Sequence, residues 1–120
     1  MSKPVIYEYA GCGTCRKARA WLKDAGIEAE LRPIRERTPS KAELERALTA
    51  VGGDIRKLFN TSGRDYREGG WKDRITTAST AELLAALRAN GNLIKRPLAI
   101  SQAGCAVGFK LDEWSALFDA

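Results

Sequence analysis

The period of apolar and polar positions changes several times along the chain, and each change marks an element. Val5-Ile6-Tyr7-Glu8-Tyr9 is β-branched and aromatic and stops at Gly11, the pattern of a short buried strand. From Gly13 to Ala25 the spacing becomes helical. Ala18, Trp21, Leu22 and Ala25 share one face, and Gly26 stands where the left-handed residue after a helix belongs. Ala29 to Ile34 returns to a strand pattern, with Leu31 facing inward and Pro33 at an edge or at the strand's end.

The middle of the chain is helical. Ser40-Lys41-Ala42-Glu43 is a capping box, followed by a Leu44, Leu48, Val51 stripe that Gly52-Gly53 ends. Asp54 caps a short helix carrying Ile55, Leu58 and Phe59. The polar, glycine-containing stretch from Asn60 to Gly70 reads as an ordered loop. Ser79-Thr80-Ala81-Glu82 is a second capping box, ahead of Leu83, Leu84 and Leu87, and Asn90-Gly91 closes that helix. Leu98–Ser101 and Cys105–Phe109 then read as strands joined by a Gln102-Ala103-Gly104 turn, and Asp112 caps a last helix with Trp114, Leu117 and Phe118. Trp21, Phe59, Trp114 and Phe118 are expected in the core. The order is β-α-β, a helical insert, then β-β-α. That is the skeleton of an α/β, thioredoxin-like fold: a βαβ unit and a ββα unit around a mixed four-stranded sheet.

Length fits this reading. The 120 residues make one domain, 1–120, with the insert at about 38–92, and 44% hydrophobic residues supply a core without staples. Lys and Arg outnumber Asp and Glu by 20 to 15, for a net charge of +5, which favours anionic partners but is too mild to establish nucleic-acid binding. Histidine is absent, which excludes a Ser-His-Asp triad, a histidine base and any histidine metal site. No apolar run approaches the ~20 residues a membrane span needs. The start turns polar at Glu8, without a signal-peptide apolar region. A cytoplasmic monomer with no membrane partner and no bound cofactor is expected.

Chemistry concentrates at Cys12-Gly13-Thr14-Cys15, between the first strand and the first helix. A sulfur there faces unpaired N–H groups and the positive end of the helix dipole, and both stabilise thiolate. Side chains tilt toward the N-terminus, so Cys15 can reach back to Cys12. Arg16, Lys17, Arg19 and Lys23 add positive charge, with no acid between Tyr9 and Asp24. A Cys12 pKa below the ~8.5 of a free thiol follows, with Cys12 as nucleophile and Cys15 as resolving partner. The competing reading is half a zinc site, but zinc needs about four ligands. Only Cys105 remains, as a small core residue at the start of a strand, so redox chemistry is preferred and no metal is expected. Gly11 and Gly13 keep the backbone open around the sulfur. Lys95-Arg96-Pro97 precedes the third strand, where a thioredoxin-type fold places a cis-proline facing the active cysteine. Arg96 would then aim its guanidinium at the sulfur or a bound anion. The alternative is a surface arginine before an edge proline.

These residues carry a family resemblance. Tyr9-Ala10-Gly11-Cys12-Gly13-Thr14-Cys15-Arg16-Lys17-Ala18, Thr38-Pro39-Ser40, Leu58-Phe59-Asn60-Thr61-Ser62-Gly63 with Tyr66-Arg67-Glu68, Leu93-Ile94-Lys95-Arg96-Pro97-Leu98 and Val107-Gly108-Phe109 stand in the order of the ArsC/Spx family of thioredoxin-fold proteins. The chain most resembles its arsenate reductase-like, YusI-like branch, which has CxxC. The resemblance implies an oxidoreductase with a reversible Cys12–Cys15 disulfide, linked to glutathione, glutaredoxin or thioredoxin, acting on a small anionic or disulfide substrate. It implies catalytic roles for Cys12, Cys15 and Arg96. Substrate contacts would come from Gly11, Gly13, Thr14, Arg16, Asn60, Thr61, Ser62 and Pro97, with the loop from Asn60 to Gly70 beside Cys12. The family's arsenate reductases place three arginines around the oxyanion; here Arg96 is retained and the other two positions fall on Asn60 and Phe109, so arsenate should be a poor substrate. The alternative that the resemblance offers is a redox-sensing regulator of the Spx and MgsR kind, binding RNA polymerase.

Overall fold

The computed structural model describes residues 3–120; Met1 and Ser2, part of the start read above for a signal segment, lie outside it. Strand β1 (Val5–Glu8) leads into helix α1 (Gly13–Asp24) and strand β2 (Glu30–Pro33). Helices α2 (Lys41–Ala50), α3 (Arg64–Glu68), α4 (Trp71–Thr77) and α5 (Thr80–Ala89) follow, with 3₁₀ turns at Ile55–Leu58 and Gly91–Leu93. Strands β3 (Leu98–Ile100) and β4 (Cys105–Val107) and helix α6 (Leu111–Phe118) complete the chain. The four strands lie in the order β2-β1-β3-β4, β1 parallel to β2 and antiparallel to β3, β3 antiparallel to β4.

Strand alternation splits the core in two. Ile6, Ala99 and Ala106 share one row and face α1 and α6, where they meet Ala18, Leu22 and Trp114. Alanines in this row leave room for Trp114, which is fully buried, packs against Phe109 and Trp21, and donates its Nε1–H to the Gly108 carbonyl at 2.9 Å. Tyr7, Leu98 and Val107 face the other way, onto Leu44, Ala47, Phe59, Leu83 and Leu87 of the insert. The insert therefore covers one face of the sheet.

Several expectations need correction. Leu31 is 47% exposed: its register partner Ile6 is covered by α1, but β2 is an edge strand and that cover ends before Leu31. Ile34, just past β2, is the buried residue. The stretch from Asn60 to Gly70 is not all loop, because an Arg64–Glu68 ion pair spans the helix α3 inside it and only Tyr66 of that helix is buried. Helix α4 gave no periodic signal because Trp71 is its one buried residue. Ser40 forms its capping box in full, but Ser79 forms half: its Oγ accepts the Glu82 N–H, while its hydroxyl rather than its backbone binds the Glu82 carboxylate. Asp112 is not a cap; it lies in the first turn of α6, behind Lys110. β4 ends at Val107 because Gly108 turns into the left-handed region at φ 77°.

The link between insert and sheet tolerates little change at Gly91, where a Cβ would fall on the Ile34 carbonyl. Gly91→Ala is expected to lower stability by roughly 1–3 kcal/mol, the usual penalty of overpacking a tight site. An unchanged urea midpoint would contradict this packing.

Candidate active site at the start of the first helix

The first helix begins on a sulfur. Cys12 is the extended N-cap of α1, and its Sγ accepts the Cys15 N–H at 3.3 Å. Its own N–H donates to the Tyr9 carbonyl at 3.0 Å, which closes the turn out of β1. Cys12 is half-buried and Cys15 fully buried, and both are free thiols. Cys15 lies beside Cys12 as its spacing predicts, with its backbone N–H on the Cys12 sulfur.

The two thiols are driven apart. Burial pushes the Cys12 thiol up, but hydrogen bonds from the Cys15 thiol and from the Cys15 and Thr14 N–H groups, with the Arg96 charge, outweigh it and hold Cys12 below the usual thiol range. Burial, the hydrogen bond to Cys12 and the charges of Cys12 and Glu8 push Cys15 up to about 12, against a backbone hydrogen bond from Tyr9. The cause at Cys12 differs from the expected one. Arg16 and Lys17 are exposed, and Arg19 is ion-paired with Glu8; the helix start and Arg96 lower Cys12, not the basic run.

The Arg96–Pro97 peptide is cis and Pro97 is buried. The Arg96 guanidinium lies 5.1 Å from the centre of the Tyr9 ring, which also carries Arg35 at 4.9 Å. Its Nη1 is buried and has no hydrogen-bond partner among the described residues. A cavity of about 180 Å³ opens beside it, with Thr14, Lys95, Gly108, Phe109 and Lys110 also in its wall. An arginine in the wall of a cavity with two lysines and a hydroxyl, its Nη1 buried without a partner, suits an anion.

The other expected site residues fall into two groups. Gly13 has open space where a Cβ would be, and a Cβ on Gly11 would sit 2.8 Å from the Tyr9 ring. Asn60, Thr61 and Ser62 make a turn that holds the insert to the strand leading into β3. The Asn60 N–H donates to the Leu93 carbonyl at 2.7 Å, the Asn60 side chain reaches the Asn92 carbonyl at 3.5 Å, and the Lys95 N–H donates to Leu58 at 2.8 Å. Ser62 offers its carbonyl to Arg67 at 3.0 Å, and Thr61 lines a larger groove that also contains Lys95. Phe59 bridges to Ile94, so this block is a splint for Lys95 and Arg96. Three residues escaped the sequence reading: Tyr9, Lys95 and Lys110. The lysines stand next to Arg96 and Phe109, and adjacency to those two positions was the available signal. Among the described residues, no three His, Cys, Asp or Glu side chains group to hold a metal, and no helix is long and apolar enough to cross a membrane.

The ArsC family model matches residues 7–117. The chain belongs to the ArsC family. Within it, the chain is 44% identical to Bacillus subtilis YusI over 109 residues, covering 91% of this chain and 92% of YusI. It is 34% identical to an arsenate reductase of Rhizobium meliloti over 99 residues, 82% of this chain and 69% of that enzyme. It is 26% identical to the regulatory protein MgsR of Bacillus subtilis over 108 residues, 90% and 84% of the two chains. The crystal structure of an ArsC family related protein from Bacteroides fragilis superposes with a TM-score of 0.90 at 37% identity, over 97% of this chain and 98% of that one. One relative of this chain is thus named as a reductase and another as a regulator.

Arg96 tests the electrostatics. Because its charge favours thiolate, Arg96→Ala should raise the Cys12 pKa, move the alkylation-rate profile to higher pH, and slow alkylation at pH 7 by roughly 3–10-fold, since one pKa unit is a tenfold change in thiolate below the midpoint. Arg19→Ala should do less, because Glu8 already neutralises Arg19. A superimposable pH profile for Arg96→Ala would refute the assignment.

Proposed function

We propose that this protein is a thiol–disulfide oxidoreductase in which Cys12 is the nucleophile and Cys15 the resolving cysteine, acting on disulfides flanked by anionic groups. The observation that carries this reading is the opposed pair of thiols: an ionisable sulfur at the helix start, held by a buried thiol that keeps its proton.

The steps follow from that polarity. The Cys12 thiolate attacks one sulfur of a substrate R–S–S–R′, forms Cys12–S–S–R, and expels R′S⁻, which takes a proton from water. Bonding removes the negative charge on Cys12 and its pull on the Cys15 proton, so the Cys15 pKa falls. Cys15 then loses its proton to water, attacks the Cys12 sulfur and expels RS⁻. The substrate gains two electrons and the Cys12–Cys15 pair loses two. Glutathione, or a dithiol protein of the thioredoxin or glutaredoxin kind, returns them and regenerates both thiols.

Arg96, helped by Lys95 and Lys110, holds the anionic part of the substrate. Thr14 offers its hydroxyl in the same cavity. Gly11 and Gly13 leave the approach to sulfur clear. Pro97 and the Asn60-Thr61-Ser62 turn keep Arg96 in place, and Arg16 stands exposed on α1 as a further contact. A second reading, a redox-sensing regulator that binds RNA polymerase, has the likeness to MgsR in its favour. Turnover of a small disulfide with glutathione or thioredoxin, set beside a pull-down of RNA polymerase by the oxidised and reduced forms, separates the two.

Thiol counting tests the couple itself. On mild oxidation the wild-type monomer should lose two thiols, while Cys12→Ser and Cys15→Ser should lose none within one molecule. The proposal fails if both variants lose the same two thiols as wild type. Arsenate should be a poor substrate. Each lost arginine removes charge-assisted hydrogen bonds of about 1.5–3 kcal/mol, roughly tenfold or more in affinity. Lysines restore charge without the planar two-pronged fork. Efficient glutaredoxin-coupled turnover of arsenate would contradict this.

A further inference from the structure

The sheet has an edge with unpaired backbone groups next to the site. β4 is the last strand in the sheet order. The Ser101 N–H donates to the Gly104 carbonyl at 2.8 Å and the Gly108 N–H to the Pro97 carbonyl at 2.9 Å, with Ala99 opposite Ala106 between them. In an antiparallel pair the bonded positions alternate, so residues 104, 106 and 108 turn their backbone toward β3. Cys105 and Val107 therefore turn their N–H and C=O groups outward. Among the described residues, no backbone hydrogen bond from another element reaches them.

That edge forms the floor of a groove of about 1070 Å³. One wall carries Val51 and Phe59, at the end of α2 and beyond it; the other carries Ala116 and Leu117 of α6. A strand laid against β4 would alternate its side chains between these two walls. The rim is basic: Arg56, Lys57, Lys95 and Lys110 stand against Asp54 and Glu113. Asp54 already accepts the Arg56 N–H at 3.3 Å, and Glu113 lies 3.9 Å from Lys110. Lys95, Val107 and Lys110 belong also to the small cavity beside Arg96, so the groove runs on into the anion site.

We propose that the free edge of β4 docks an extended, acidic segment of a protein substrate as a fifth strand and so delivers that protein's disulfide to Cys12. The docking supplies backbone hydrogen bonds to Cys105 and Val107, apolar contacts to both walls, and charge pairing at the rim. The hand-over rests on the redox reading above; the docking does not.

The experiment keeps the two apart. Backbone amide exchange is followed on the full reduced protein with a cysteine-free eight-residue peptide alternating Glu and Val, and with a Lys-for-Glu control. The acidic peptide should slow the Cys105 and Val107 amides by about tenfold or more while leaving Ala106, already bonded to β3, little changed. Next, the Glu/Val peptide carrying a disulfide-linked reporter thiol is compared with hydroxyethyl disulfide as substrate. The double variant R56E/K57E, which touches the groove and not the small cavity, should lower kcat/KM for the peptide disulfide about tenfold and leave hydroxyethyl disulfide unchanged. Equal protection by both peptides, no protection at Cys105 and Val107, or protection that rises with protein concentration without peptide would overturn the docking; the last would mean that a second copy occupies the edge. An equal loss on both disulfides in the double variant would overturn it too. If wild type reduces neither disulfide while the two amides are still protected, the redox reading and the hand-over fall and the docking stands.

Discussion

A sulfur that caps a helix is the interaction on which the rest of this structure depends. Cys12 stands where a serine or aspartate would ordinarily accept the free N–H groups of the first turn, and it accepts from Cys15 instead. A thiolate satisfies those donors better than a thiol does. Starting the helix and ionising the sulfur are therefore the same event seen from two sides. The turn that allows it is fixed at its other end by β1, whose Ile6 and Tyr7 are buried on opposite faces of the sheet. Cys12 cannot shift without disturbing both cores.

The insert acts on the site at one remove. Its helices cover the Tyr7 face, but its chemical contribution passes through the pairing of Leu58, Phe59 and Asn60 with the chain from Leu93 to Lys95. Asp65 strengthens the splint by accepting from the side chains of Asn90 and Asn92 at 2.9 and 3.2 Å. Those bonds hold its carboxyl below the usual carboxylate range. The splint ends one residue before Arg96. It therefore sets where a cation with an unpartnered nitrogen stands, and that cation is one of the groups lowering the Cys12 pKa.

Much of this was legible in the sequence, for local reasons. Two alternations of period, a CxxC at a strand-to-helix junction and a proline at a strand start depend on neighbours in the chain, and the strands, α1 and the sulfur pair followed from them. What was not legible depends on residues distant in sequence. Leu31 has a core residue's chemistry and an edge strand's position, and only the sheet order decides between them. Helix α4 buries one large side chain, too few for a period. The block from Asn60 to Gly63 reads as a polar loop because its work is done by backbone groups, which composition does not reveal. Lys95 and Lys110 meet across the fold beside Arg96. Each alone looks like a surface lysine.

The two edges of the sheet are protected by different means. β2 carries its own guard: Glu30 and Arg32 pair on it, Arg37 lies 3.9 Å from Glu30, and Pro33 ends it without an N–H to offer. No further strand can add there without burying those charges. β4 reads Cys-Ala-Val, with neither a charge nor a proline. Its protection comes from the flanking layers, since α2 and α6 both pack on it and narrow the approach to a slot with a basic rim. A slot admits one strand and excludes a second sheet, and a rim of one sign selects among strands. The charges that make the anion site beside Arg96 are continuous with that rim. The electrostatics that lower the pKa of the active sulfur thus extend along the edge where β4 leaves its outward backbone groups unpaired.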